Sequence, residues 1–147
     1  MKVLFIEDNY FASKLSEWIK DYGFTILSAE NLLDAEKLLE TQGPFDAAIV
    51  DLDLDKRYLP RELQQYARTE YAGWVYYKHV LRKIPPLDRN AIIVSAFLPY
   101  FKASLPGDEY DSLILIDKAD SQYHKQVLNS LKLLSGESTE DKAGFEV

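Results

Sequence analysis

"AAIVDLDLDKRYLP" (residues 47–60) begins as an apolar strand and runs into acids. Ala47-Ala48-Ile49-Val50 is a continuous apolar run that stops at Asp51, and Asp53 and Asp55 follow at alternate positions. A strand apolar on both faces belongs inside a sheet covered on both sides, as parallel sheets are. Acids gathered at its end have three uses: binding a cation, acting as a nucleophile, or facing water. What stands at the ends of the other strands decides among them.

Four further runs read as strands: Val3-Leu4-Phe5-Ile6, Phe24 to Leu27, Ala91-Ile92-Ile93-Val94 and Leu113-Ile114-Leu115-Ile116. Helical spacing lies between them. Phe11, Leu15, Trp18, Ile19 and Tyr22 share one face, and Gly23 ends it. Asn31 is placed to cap a helix carrying Leu32, Ala35, Leu38 and Leu39, which Gly43-Pro44 stops. Val127, Leu128, Leu131 and Leu134 mark a last helix. Apolar strands alternating with helices imply βαβ units, a parallel sheet and an α/β fold. Ligands of such sheets sit at the carboxyl ends of the strands.

The first strand ends in Glu7-Asp8, the third in Asp51, the fourth in Ser95-Ala96 and the fifth in Asp117-Lys118. Parallel strands bring these groups to one edge. Neighbouring carboxylates repel unless a positive charge joins them. Hard oxygen donors suit Mg²⁺, which takes one or two carboxylates and phosphate oxygens and keeps several waters. Lys118 supplies a point charge for an anion and Ser95 a short hydroxyl donor. Such a set can handle a phosphoryl group, whose transfer depends on positioning and charge stabilisation. With no Cys in the chain and no well-placed His, the natural nucleophile is a carboxylate. His79 and His124 fall within helical patterns and read as surface or packing residues.

The 147 residues suggest one domain, and 47% hydrophobic with 28% charged residues is an ordinary globular mixture. The absence of Cys excludes disulfides, zinc–thiolate sites and thiol nucleophiles. MKVLFIEDN turns acidic too soon for a signal peptide, and no apolar run reaches the roughly 20 residues of a membrane span, so a cytoplasmic location is expected. The net charge of −7 argues against nucleic acid as a partner.

The ordered set resembles the receiver domain of two-component response regulators, over residues 2 to 134. The resemblance is carried by Glu7-Asp8, Asp51, Ser95-Ala96 and Lys118, with separations of 43, 44 and 23 residues from Asp8 onward. It implies a flavodoxin-like, doubly wound (βα)5 fold with a five-stranded parallel sheet in the order 2-1-3-4-5. It implies a signalling phosphoacceptor rather than an enzyme with a separate substrate. Asp51 would take the phosphoryl group from a phosphohistidine of a sensor histidine kinase or histidine phosphotransfer protein. Asp8, Asp51 and the Asp53 backbone carbonyl would bind Mg²⁺ directly, and Glu7 through water. Ser95, the neighbouring Ala96 and Lys118 would hold the phosphate.

The chain departs from the family's pattern in several places. Asp55 stands where the family has Pro, and no Gly appears until Gly73. Residues 56–83 therefore read as an insertion or a lengthened helix, with Pro60 at a helix start and Leu63, Tyr66, Ala67, Trp74, Tyr77, Leu81 and Ile84 on one face. This segment holds seven Lys and Arg against Glu62 and Glu70, a net of +5, so the rest of the chain carries −12. One reading is a solvated basic face whose aromatics complete the core. The sharper one is a surface around Arg57, Arg61, Arg68 and Trp74 for a downstream protein or a second copy of the chain, because Arg, Trp and Tyr are favoured at interface hot spots.

After Ser95-Ala96, Pro99, Pro106 and Gly107 should leave the fourth helix short or absent. Leu115 stands where the family often has the aromatic of a rotamer switch, and Ala119 follows Lys118 where Pro is usual, so a trans bond is expected there. Phe97 is placed to cover the phosphoryl group. Residues 135–147 are polar and read as a disordered tail, and no effector domain is expected after residue 134.

Competing readings are a degenerate receiver that acts only by contact, a haloacid dehalogenase-like phosphatase using the Asp51–Asp53 pair, and a Toprim-like nuclease using Glu7 with that pair. In both enzyme families Mg²⁺ would assist. The phosphatase order places its acidic pair late, whereas here it comes first, and the nuclease offers no role for Ser95 or Lys118.

Overall fold

The computed structural model describes residues 1–7, 11–104 and 113–136. Asp8, the 105–112 stretch with Pro106 and Gly107, and the 137–147 part of the expected tail lie outside the described residues. Five strands, β1 (Lys2–Ile6), β2 (Thr25–Ala29), β3 (Ala47–Asp51), β4 (Ala91–Ser95) and β5 (Ile114–Asp117), form one sheet in the order β2-β1-β3-β4-β5. Every pairing is parallel. Five helices accompany them: α1 (Phe11–Lys20), α2 (Leu32–Gln42), α3 (Ala72–His79), α4 (Leu98–Ser104) and α5 (Tyr123–Leu134).

The period-2 geometry of the strands divides the core in two. Val3, Phe5, Ala47, Ile49, Ile92 and Val94 face one side, where Leu15 and Ile19 of α1 and Val127, Leu128 and Leu131 of α5 cover them. Leu4, Ile6, Ala48, Val50 and Ile93 face the other, under Leu32 and Ala35 of α2, Trp74 to Tyr77 of α3, and Leu98 and Phe101 of α4. Each buried Leu, Ile or Phe side chain contributes roughly 1.5–3 kcal/mol over its exposed state. These two apolar layers are what hold the strand ends in register.

Local signals act as their chemistry directs. Asn31 caps α2, its Oδ1 accepting the Asp34 amide at 2.9 Å. Gly23 closes α1 with φ +89, a left-handed conformation open to glycine at no steric cost. No helix of the described residues is long and apolar enough to cross a membrane.

The β3-to-β4 crossover differs from the expected long helical face. Residues Lys56–Tyr58, Arg61–Arg68 and Leu81–Lys83 are 3₁₀ turns, and only Ala72–His79 is α-helical. Gly73 explains where α3 lies. Its N–H donates to the Leu52 carbonyl at 3.0 Å, and a Cβ there would stand 2.0 Å from the Asp51 carbonyl oxygen. The helix backbone therefore abuts the end of β3. Six consecutive residues, Ala72 to Tyr77, are buried, so α3 has no polar stripe and no single apolar face. Tyr66, expected on the helical face, is instead an exposed ring stacked on His79 at 4.5 Å. The fourth helix is short, at seven residues.

Candidate functional site

Among the described residues, the buried polar and charged side chains are Glu7, Asp51 and Ser95, with 3%, 3% and 0% exposure. All three stand at carboxyl ends of strands, on β1, β3 and β4. Charged groups are rarely buried without a partner, so their convergence on one edge marks the site.

The backbone holds each one. The Glu7 amide donates to the Ala29 carbonyl at 3.0 Å, which ties the end of β1 to β2. Asp51 is the last residue of β3, paired with Val94. Beyond it, the Leu52 amide donates to the Val94 carbonyl at 3.0 Å. Ser95 pairs with Asp117, and the Lys118 amide donates to the Ser95 carbonyl at 3.0 Å.

Lys118 joins the acids. Its Nζ donates to Glu7 Oε1 and lies 3.3 Å from Asp51 Oδ2. Burial pulls its proton affinity down, but the Glu7 hydrogen bond and the charges of Asp51 and Glu7 outweigh burial, and the net shift is upward. It therefore stays an ammonium. Asp51 Oδ1 accepts the Asp53 amide at 3.1 Å, so both carboxylate oxygens are oriented. The Phe97 amide donates to Ser95 Oγ at 2.9 Å. Asp117 Oδ1 accepts the Ala119 amide at 2.8 Å, and the Lys118–Ala119 bond is trans, as expected.

The other expected site residues separate. Asp53 is exposed and reaches the site through its backbone, and Asp55 turns away to Arg57, with Arg57 Nη2 2.6 Å from Asp55 Oδ2. Only Asp51 of the Asp51–Asp53 pair is buried, which does not favour the readings that use both acids as one unit. Ala96 and Phe97 are exposed beside Ser95, Phe97 at 45%. Arg57, Arg61 and Arg68 are exposed and line a groove of about 450 Å³ together with Lys56, Gln64 and Gln65. Trp74 is a correction. At 2% exposure it is a core residue, packed edge-on against Phe101 with ring centroids 5.0 Å apart, and it presents no surface to a partner. The apolar pull of the α3–α4 junction outweighs the interface preference of the residue type.

The sequence reading also overlooked Tyr123. It is buried at 7% exposure on the first turn of α5, and with Lys118, Asp120, Ser121 and His124 it lines a cavity of about 280 Å³. The available signal was its position five residues after Lys118.

Among the described residues no group of three or more His, Cys, Asp or Glu converges as a metal cluster. The site's described charges are two buried carboxylates and one ammonium, a net of −1. That hard, oxygen-rich and still negative set fits a small divalent cation such as Mg²⁺.

No protein-family model and no curated protein match the chain. Solved structures do. A sensor protein from Polaromonas sp. JS666 superposes with a TM-score of 0.65 at 16% identity, over 93% of this chain and 98% of its own. The response regulator TrrA from Thermotoga maritima, in complex with Mg²⁺ and BeF, gives 0.59 at 18% identity, over 90% of this chain and 97% of its own. The receiver domain of a Francisella response regulator gives 0.56 at 20% identity, over 90% and 94%. The fold is that of a receiver domain. Within the receiver fold, the buried acids, the serine and the lysine stand at the ends of strands β1, β3, β4 and β5.

Proposed function

We propose that the chain is a receiver that accepts a phosphoryl group on Asp51 in a Mg²⁺-dependent reaction. The observation that carries this reading is the joint approach of Lys118 to Glu7 and Asp51, at strand ends that also bury Ser95. An Asp51 oxygen would form the new P–O bond as the P–N bond of a phosphohistidine breaks. The imidazole leaves with the bonding pair and takes up a proton. Hydrogen bonds from the Asp53 amide and the nearby ammonium orient the Asp51 carboxylate for that attack. Lys118 would then shift toward the new phosphoryl oxygens, and Ser95, whose Oγ accepts the Phe97 amide, would donate its hydroxyl to the phosphate. Glu7, Asp51 and the Asp53 carbonyl would hold Mg²⁺ with Asp8; when bound, the ion neutralises charge on the phosphoryl oxygens.

The phosphodonor would be a sensor histidine kinase or histidine phosphotransfer protein. Output would be protein contact, through the exposed basic groove of Arg57, Arg61 and Arg68. The likeness to a receiver in complex with Mg²⁺ and BeF supports the choice of cation.

The test is incubation of the chain with Mg²⁺ and acetyl phosphate. Uptake of one phosphoryl group that Asp51→Asn abolishes, with the variant still folded, is the expected result. A folded wild type that takes up neither phosphoryl group nor beryllofluoride at millimolar Mg²⁺ would favour the contact-only reading instead.

A further inference from the structure

The 3₁₀ turns at Lys56–Tyr58 and Arg61–Arg68 build a groove of one charge. Lys56, Arg57, Arg61, Gln64, Gln65 and Arg68 line about 450 Å³, four cations and two amides with no acid among them. All six are exposed, but the backbone that carries them is anchored. Leu59 and Ala67 are buried in the core, and Gln64 Nε2 bridges the two turns, donating to the Arg57 carbonyl at 3.4 Å and the Leu59 carbonyl at 3.2 Å. Asp55 orients Arg57 through its Nε and Nη2, yet the arginine side chain stays 79% exposed. Among the described residues, Lys56, Arg61 and Arg68 join no ion pair.

Cations gathered without counter-charges are complementary to a partner that brings them. One exposed ion pair is worth about fivefold in affinity at most, so the occupant must meet several of these cations at once. The amides narrow its class. Gln64 and Gln65 both donate to backbone carbonyls, Gln65 to that of Glu62 at 3.4 Å, so each Nε2 is engaged and each Oε1 is left to accept. A peptide supplies N–H donors for those oxygens, whereas a phosphodiester backbone has none. An extended segment keeps its N–H groups available, whereas a helix uses its own. A long polyanion would also run onto the rest of the chain, which outside residues 56–83 carries −12. We propose that the groove docks an acidic, extended segment of a partner protein, its carboxylates paired with Lys56, Arg61 and Arg68 and its N–H groups with the two glutamines. This rests on the reading of the groove as the output surface, and not on phosphoryl transfer to Asp51.

Fluorescence anisotropy of a labelled peptide of four glutamates alternating with glycine, at low ionic strength, tests this on the full chain. Binding is expected, and on a chain of net charge −7 it requires a local basic site. The same peptide with Gln for Glu should bind roughly tenfold more weakly or worse. Arg61→Gln with Arg68→Gln should cost roughly ten- to thirtyfold, two exposed pairs together, at an unchanged Tm. Lys37→Gln with Lys125→Gln removes the same charge from exposed positions elsewhere and should stay within about twofold of wild type. No binding by wild type, or an equal loss in both double variants, would overturn the proposal. So would tighter binding of a single-stranded DNA oligonucleotide of equal charge. A wild-type dimer in sedimentation velocity that Arg61→Gln with Arg68→Gln returns to monomers would overturn it too, because the occupant would then be a second copy. Beryllofluoride binding is a separate readout: a chain that binds beryllofluoride but no acidic peptide keeps the phosphoacceptor reading and loses this one, and the reverse result does the opposite.

Discussion

The carboxyl edge of the sheet and the crossover from β3 to β4 are neighbours built on opposite principles. At the edge, each candidate site residue is the last residue of a strand or the one after it: Glu7, Asp51, Ser95 and Lys118. Their positions follow from register, and register follows from apolar side chains alternating across two core layers. The crossover has no such rule. It strings three 3₁₀ turns around one eight-residue helix and is located by burial at a few points, Leu54, Leu59, Ala67 and the Ala72–Tyr77 run. A one-residue slip would scramble the edge, whereas the crossover can vary in length and shape provided those anchors find their pockets. Gly73 links the two: its amide donates to the Leu52 carbonyl, and a Cβ on it would meet the Asp51 carbonyl oxygen.

Breaking that link should have the largest effect. Gly73→Ala places a Cβ against three backbone atoms, within 2.0 to 2.9 Å, that belong to Asp51 and Leu52. Loss of the cooperative unfolding transition, or a destabilisation beyond the roughly 1–3 kcal/mol of ordinary overpacking, is expected in urea denaturation. A wild-type midpoint would show that the crossover is not locked to the site. Trp74→Ala comes next, with a loss of about 3–5 kcal/mol, because a buried indole is replaced by a cavity. An effect below about 1 kcal/mol would return Trp74 to the surface role it lacks here.

Phe97→Ala probes the edge itself. Phe97 is exposed and its amide, not its ring, is bonded to Ser95, so stability should change by less than about 1 kcal/mol. On the proposed phosphoacceptor role of Asp51, the aspartyl-phosphate should hydrolyse faster, because the ring no longer obstructs water; equal lifetimes would dismiss the shielding role. Arg61→Glu with Arg68→Glu should leave folding within about 0.5 kcal/mol and acetyl phosphate uptake unchanged, while weakening association with any protein that docks on this groove, as the proposed output requires.

The smallest effect concerns Asp55. Hydrogen bonds from Arg57, side chain first and then backbone, hold its carboxyl at about 2 against an ordinary 3.8. Because the folded value is depressed, the pair's contribution is complete above pH 3.8 and fades as pH falls toward 2. The pair is exposed, so the change should be visible by NMR titration rather than in Tm. Arg57→Ala should move the midpoint back up.

The same contrast explains what could be read in the chain beforehand. Val3 to Ile6, Ala47 to Val50 and Ala91 to Val94 are continuous apolar runs with polar stops, and a parallel sheet turns those stops into a site. Asn31 announced its helix through a local bond. Residues 56–83 carried a mixed signal, since Leu63, Tyr66 and Trp74 fit a helical period. Their fate depended on tertiary contacts. Gly73 stood out only as the first glycine after Asp51, yet it is a point of close approach, a use of glycine that spacing alone does not distinguish. Tyr123 belongs to no motif, and only its burial in the cavity beside Lys118 singles it out.

Trp74 stacks on Tyr77 at 5.5 Å, meets Phe101 of α4 edge-on, and lies under the cations of Lys78 and Arg82. The chain's second indole, Trp18, lies on the opposite layer against Tyr22 and His124. The protein thus carries two native fluorophores, one per face of the sheet, with quite different quenchers. Emission from Trp74 will follow movement of α4, which begins three residues after Ser95, while Trp18 follows α1 and α5. With one indole at a time replaced by Phe, a stopped-flow trace can time the two faces separately after mixing with Mg²⁺ and beryllofluoride, without an external dye.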